Sequence, residues 1–264
     1  MIGGGMPGDG PPPAAMGKSS RDWISVLNPR PNARLRLYCL PFAGGGAAMF
    51  RSWPGELPAD IEVCPIQLPG REARFHEPRF TRIPQLVRTL APVMLPHLQK
   101  PFAILGHSMG GLIAFELLRE LRRLGAPPPQ RLLVSGRQAP QIVNTDPPLH
   151  GLPAGQFFDE LDRRYGGVPT EALNNPEIRE VFVALLRADI EMVESYRYLA
   201  DAPLDCPISV FGGRHDLVSE SDLSAWQEHT RPPLTVTMFE GSHFFIQTAR
   251  VELLRVIGQH LAAG

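Results

Sequence analysis

The ten residues FAILGHSMGG, Phe102–Gly111, govern how the rest of the chain is read. The first four, Phe102–Leu105, form a short continuous apolar run of the kind carried by a strand covered on both faces. Beyond them the apolar positions switch to helical spacing. Ile113, Leu117, Leu121 and Leu124 fall on one side, and Glu116, Glu120, Arg122 and Arg123 largely on the other. Gly125 and the run Pro127–Pro129 stop that helix. Between strand and helix stands Gly106-His107-Ser108-Met109-Gly110, a G-x-S-x-G sequence in the strand–turn–helix setting that gives the motif its meaning. Such a turn holds the serine in a strained backbone conformation and lifts its Oγ above the sheet. A side chain at Gly106 or Gly110 would collide with neighbouring backbone. The helix that begins at Met109 points its positive dipole end at Ser108, where negative charge would develop.

Outward from this turn, strand-like and helix-like segments alternate. Strands are predicted near Arg34–Leu40, Ile61–Gln67, Phe102–Leu105, Arg131–Ser135, Ile208–Phe211 and Leu234–Phe239. Helices are predicted near Ile83–His97, Met109–Leu124, Ser221–His229 and Ala249–Leu261. The alternation implies an α/β architecture of the α/β-hydrolase type, a mostly parallel sheet flanked by helices. One block breaks it. From about Asp146 to Leu199 there is no strand pattern, only helical stretches near Ala154–Arg164 and Pro176–Tyr198. An insertion at that point, 146–199, would cover the C-terminal edge of the sheet as a lid. The alternative is an enlarged crossover with no gating role.

A serine hydroxyl needs a base, and the base needs an orienting acid. In this fold the chain order is serine, acid, histidine. Asp216 follows the strand ending at Phe211 on the turn Gly212-Gly213-Arg214-His215-Asp216. His243 follows the strand Leu234–Glu240 and the turn Gly241-Ser242, ahead of the last helix. Ser108, Asp216 and His243 are therefore the candidate triad. His215 lies on the acid's loop, where a base is not expected. His229 and His260 lie in helical patterns and read as surface residues, His107 reads as packing beside the site, and Asp189 belongs to the insertion.

Acyl transfer also needs two N–H donors aimed at a tetrahedral oxyanion. The backbone N–H of Met109, just after the nucleophile, supplies one. The loop Leu40-Pro41-Phe42-Ala43-Gly44-Gly45-Gly46 after the first strand supplies the other, at Ala43 with Phe42 as the neighbouring choice. Gly44-Gly45-Gly46 lacks G-x-G-x-x-G spacing, and no Walker A motif is present, so nucleotide binding is not indicated.

The composition agrees with a globular enzyme. The 264 residues suit one sizeable domain, with 43% hydrophobic and 20% charged residues. The formal net charge is −1, which gives no basic field for nucleic acid or an anionic membrane. Two lysines, Lys18 and Lys100, accompany an otherwise arginine-only basic set. Cys39, Cys64 and Cys206 are odd in number and widely spaced, so they form neither a disulfide framework nor a metal site; they read as buried thiols. The Gly/Pro-rich residues 1–20 lack the apolar core of a secretory signal and read as a disordered leader to a hydrolase domain over 21–264. No apolar run is long enough to span a membrane. These features predict a cytoplasmic monomer.

Several motifs together resemble one family. LPFAGGGA at Leu40–Ala47, QLPGREARFHEP at Gln67–Pro78, GHSMGG at Gly106–Gly111, VSGRQAP at Val134–Pro140, LRAD at Leu186–Asp189, GGRHDLV at Gly212–Val218 and GSHFF at Gly241–Phe245 are similar to the type II, stand-alone editing thioesterases of polyketide and nonribosomal peptide synthesis. The similarity covers about Arg34–Leu261. It implies hydrolysis of acyl thioesters from the phosphopantetheine arm of an acyl or peptidyl carrier protein, through an acyl-enzyme and without cofactor or metal. The family's triad maps onto Ser108, Asp216 and His243, its oxyanion donors onto Ala43 and Met109, and its mobile lid onto the insertion. Phe42 stands where some relatives have His. Arg71 and Arg74 read either as solvated loop residues or as contacts for the arm's phosphate or for acidic groups of a carrier. Arg137 reads as structural. The competing functions are a small-molecule carboxylesterase or lipase on the same scaffold, and a non-catalytic hydrolase-like binding module.

Overall fold

Six apolar segments that alternate with helices have one economical arrangement, in which the helices cover both faces of a parallel sheet. The computed structural model, which describes residues 23–166 and 176–262, has that arrangement. Its strands are β1 (Leu35–Leu40), β2 (Ile61–Pro65), β3 (Phe102–His107), β4 (Arg131–Ser135), β5 (Ile208–Gly213) and β6 (Thr235–Phe239). They pair in the order β2-β1-β3-β4-β5-β6, every neighbour parallel. The helices of four residues or more with α geometry are α1 (Ile83–Met94), α2 (Met109–Arg123), α3 (Ala154–Tyr165), α4 (Pro176–Glu194), α5 (Glu220–Ser224), α6 (Phe245–Thr248) and α7 (Arg250–Ala262). The leader expected over residues 1–20 lies outside the described residues.

The continuous apolar strands do what their composition requires. Tyr38, Leu40, Ile104, Leu132 and Val210 face a core shared with α1 and α2, and Leu35, Leu37, Leu105, Leu133 and Phe211 face a second core shared with α7. Ile113, Leu117 and Leu121, the stripe read from the sequence of α2, are all buried in the first core. Each such side chain contributes roughly 1.5–3 kcal/mol of apolar burial. All three cysteines are free and buried, as their apolar context suggested.

Topology then places the site. Chain order reverses at β1, which has β2 on one side and β3 on the other. Loops leaving the carboxyl ends of β1 and β3 diverge there and leave a crevice, the usual position of a ligand in an open parallel sheet. The glycine loop and Ser108 flank this crevice. The candidate acid and base leave the adjacent strands β5 and β6 at the same edge.

Between β4 and β5 the chain makes the predicted strandless excursion. Helices α3 and α4 share a small apolar cluster of their own, built on Leu149, Phe157, Phe158, Leu161, Val183, Leu186 and Ile190, with Ala43 packed against it. The insertion therefore rests on the loop after β1. Among the described residues, no helix is long and apolar enough to cross a membrane.

Candidate active site

Ser108 has φ 53° and ψ −114°, one of two non-glycine residues at positive φ among those described. That conformation is strained and persists only where its surroundings fix it. The fixing bonds are present. The Ser108 N–H donates to the Ser135 carbonyl on β4 at 2.7 Å, and its carbonyl accepts from the Gly111 N–H at 3.0 Å. A Cβ on Gly106 would run into the Gly110 carbonyl, and one on Gly110 into the Leu40 carbonyl at the end of β1. The two glycines thus let the start of α2 lie against β1, which brings the Met109 N–H beside the glycine loop. Neither the Ala43 nor the Met109 N–H has an acceptor among the described residues, and both residues line the cavity that holds Ser108.

The candidate acid and base approach each other by the same device. Gly213, the last residue of β5, lies against the carbonyls of Gly241 and Ser242. The Arg214 and His215 N–H groups donate to Phe239 and Gly241 across the same contact. His243 is thereby carried over Asp216, its Nδ1 2.9 Å from Oδ2 and 3.1 Å from Oδ1, with both side chains buried. Carboxylate oxygens accept, so Nδ1 is the donor of this pair and Nε2 is the ring nitrogen left outside it. Ser108 and His243 face the same cavity, of about 180 Å³. The Ser108 hydroxyl makes no hydrogen bond with a described residue.

The surroundings of His243 are aromatic. The rings of His107, Tyr165 and Phe244 lie 5.3, 5.3 and 5.4 Å from it, centroid to centroid. His107 is fully buried, with Nδ1 2.8 Å from the Ser135 hydroxyl and no hydrogen-bond partner for Nε2 among the described residues. Burial, and then the neighbouring His243, hold the His107 pKa well below its usual 6.5. Those surroundings disfavour a charge on His107. Phe42 completes this wall, edge-on to both His107 and Phe244. Leu161, Leu186, Ile190 and Val193 of the insertion add apolar lining to the same cavity.

The structure departs from two readings of the sequence. Arg71 and Arg74 are neither solvated nor free for a phosphate or a carrier, being 4% and 3% exposed. Arg74 stacks its guanidinium 3.9 Å over the Trp23 ring and donates to both Glu77 oxygens. Arg71 forms a bidentate ion pair with Asp189. His229 is not a surface residue. It is buried among Phe115, Tyr198 and Trp226, with Nε2 2.5 Å from Gln141 Oε1. Arg137, which reads as structural, accepts a hydrogen bond from Trp226 Nε1 at its carbonyl at 2.8 Å, while its guanidinium has no hydrogen-bond or ion-pair partner among the described residues. Its Nε is buried, its pKa is lowered by burial, and it lines the cavity. Among the described residues, no cluster of three His, Cys, Asp or Glu could hold a metal.

A parallel sheet with a G-x-S-x-G turn at its switch point, and an Asp–His pair on the last two strands, defines an α/β-hydrolase of the serine type. The chain belongs to the thioesterase domain family, whose model matches residues 35–261. It is a type II thioesterase of the kind found with nonribosomal peptide and polyketide pathways. The gramicidin S biosynthesis protein GrsT of Aneurinibacillus migulanus is 42% identical over 240 residues, 90% of this chain and 93% of GrsT. ClbQ from the colibactin NRPS/PKS pathway superposes with a TM-score of 0.83 at 30% identity, covering 88% of this chain and 98% of ClbQ. YbtT, a type II thioesterase from the yersiniabactin NRPS/PKS pathway, gives 0.80 at 31% identity over 90% and 97% of the two chains.

Proposed function

We propose that the protein hydrolyses acyl groups from the phosphopantetheine arm of acyl or peptidyl carrier proteins, with Ser108 as nucleophile, His243 as base and Asp216 as its orienting acid. The observation that carries this reading is the buried Asp216–His243 pair beside a serine held at positive φ. His243 Nε2 takes the Ser108 proton as Oγ adds to the thioester carbonyl. The N–H groups of Ala43 and Met109 hold the oxyanion. The arm's thiolate leaves, protonated by His243, and an acyl-Ser108 ester remains. Water, deprotonated by His243, then releases the free acid. No metal or cofactor takes part. The helices of the insertion form a lid over the acyl group, and the enzyme acts as a cytoplasmic monomer on the carrier of a synthase.

The test is hydrolysis of acyl-carrier protein by Ser108→Ala. Loss of turnover with the melting temperature retained is expected, and full hydrolysis would refute the assignment. Comparing kcat/KM for acyl-carrier protein with that for simple aryl esters separates carrier editing from general esterase activity.

A further inference from the structure

The loop that carries Ala43 is a tight turn. The Gly45 N–H donates to the Phe42 carbonyl at 2.9 Å, and Gly44 has φ +81°. That makes Phe42–Gly45 a type II β-turn, with glycine at the position that requires positive φ. A type II turn differs from type I by reversal of its central peptide plane, here the Ala43–Gly44 unit. The direction of the Gly44 N–H therefore reports the turn type.

That N–H is held from outside the loop. It donates to Asp189 Oδ2 at 2.7 Å. Arg71 Nη1 donates to the same oxygen at 2.9 Å and to the Gly45 carbonyl at 2.9 Å, while Arg71 Nη2 donates to Asp189 Oδ1 at 2.7 Å. Leu186, one turn before Asp189 on α4, fills the space over Gly44, where a Cβ would sit 2.7 Å from its Cδ2. One carboxylate from the insertion and one guanidinium from the loop after β2 thus grip both sides of the turn. A buried ion pair is a poor source of stability, because desolvation offsets most of its attraction. Its bidentate geometry is, however, strongly directional.

We propose that Asp189 is a positioning residue for the oxyanion hole. Paired with Arg71, it fixes the Ala43–Gly44 peptide plane in the type II arrangement and so sets the direction of the adjoining Ala43 N–H. Withdrawal of Asp189 with α4 releases the turn, so hydrolysis requires that this part of the insertion be seated. The inference rests on the assignment of the Ala43 N–H as an oxyanion donor.

The experiment compares the full-length wild type with Asp189→Asn, the charge-free double variant Arg71→Met/Asp189→Leu, and Glu62→Gln. Glu62, on β2, is a buried carboxylate paired with Arg36 of β1, away from the site, and serves as a control for stability alone. Four quantities are read for each: kcat and KM on an acyl-pantetheine thioester, the affinity for an alkyl boronic acid that forms a tetrahedral adduct on Ser108, the affinity for a non-hydrolysable thioether analogue, and the melting temperature. In Asp189→Asn and in the double variant kcat should fall on the order of 10²-fold, the effect of losing one oxyanion donor. Boronate affinity should fall in proportion. KM and thioether affinity should stay within about two-fold, as expected for an interaction made in the transition state. The double variant leaves no unpaired charge, so it should recover melting temperature lost by Asp189→Asn without recovering kcat. Glu62→Gln should lose melting temperature and keep kcat. A double variant with wild-type kcat, or unchanged boronate affinity in both Asp189 variants, overturns the proposal. Ser108→Ala, run alongside, keeps the two readings apart. If it is inactive while the Asp189 variants are fully active, only the positioning role fails; if it still hydrolyses the thioester, the serine reading itself fails.

Discussion

Gly213→Ala tests how the acid and base are brought together. A Cβ at this position would lie 2.5 Å from the Ser242 carbonyl oxygen and 2.6 Å from that of Gly241, both backbone atoms with no rotamer to turn away. Reaching ordinary carbon–oxygen contact separates the β5 end from the Gly241–Ser242 turn by about 0.9 Å. His243 is the next residue, and its hydrogen bond to Asp216 is 2.9 Å long, so that retreat stretches the bond beyond useful range. A misplacement of about 1 Å in a catalytic constellation costs on the order of 10²-fold in rate. Overpacking of this kind costs about 1–3 kcal/mol in stability, or about 2–10 °C in melting temperature for a domain of this size. The assay is thiol release from an acyl-N-acetylcysteamine thioester, with thermal unfolding followed by circular dichroism. Gly155→Ala is the matched control. It sits in the first turn of α3 with open space around its Cβ, and should leave the melting temperature no lower and kcat unchanged. A folded Gly213→Ala with wild-type kcat would refute the claim that this close approach places the base.

Two further outcomes follow from charge and burial. Arg137 stands in the cavity wall with no ion-pair partner among the described residues and with its pKa lowered by burial, so its surroundings disfavour its charge. Arg137→Met should raise stability by about 1 kcal/mol, read as a higher melting temperature at neutral pH; a lower one would contradict the unpaired-cation account. His107 and His229 are both held neutral by burial, His229 with its pKa lowered to about 4. The unfolded chain takes up these protons near pH 6.5, before the folded chain does, so folding stability is present above pH 6.5 and is lost as pH falls toward 4. His229→Phe should flatten part of that decline in a series of melting temperatures against pH, and an unchanged slope would count against it.

The sheet was legible because each strand is an apolar run bounded by turn residues, and periodicity survives without knowledge of partners. Arg131–Ser135 matches residue for residue, and the other strands differ by one or two residues at an end. The candidate site was legible for a related reason. In a parallel sheet every strand's carboxyl end lies at one edge, so residues just past β3, β5 and β6 converge whatever the loops do. That argument reaches Ser108, Asp216 and His243. It does not reach Arg71 and Asp189, which lie 118 residues apart on a loop and an insertion helix. An arginine after Pro69-Gly70 looks solvated, and an aspartate after Leu186-Arg187-Ala188 looks like the polar side of a helix; only the pairing explains why both are buried. His229 was misread for a similar reason. Its segment has helical spacing, but the pocket between Phe115, Tyr198 and Trp226 is assembled from three distant segments.

The same pairing constrains how a lid over this site would move. The C-terminal half of α4 is fastened to the sheet domain by several independent contacts. Asp189 holds the turn after β1, Glu191 accepts from Arg82 at 2.6 Å, and Met192 lies in the main core. Just beyond the helix, the Ser195 hydroxyl donates to the Thr81 carbonyl and the Tyr196 hydroxyl to Glu116. The small cluster shared with α3 takes Val183 from earlier in α4, and Leu186 and Ile190 from either side of Asp189, with Leu186 also packed over Gly44. Swinging the whole of α4 would break the buried pair and leave Arg71 with an uncompensated charge, a penalty of about 3–5 kcal/mol. Displacing α3 with the first turns of α4 exposes only part of the small cluster. If the insertion is a lid, its cheaper opening would move the wall formed by Leu161 and Tyr165 while Asp189 stays seated, so that one half of the insertion would admit an acyl chain and the other would hold the proposed oxyanion turn.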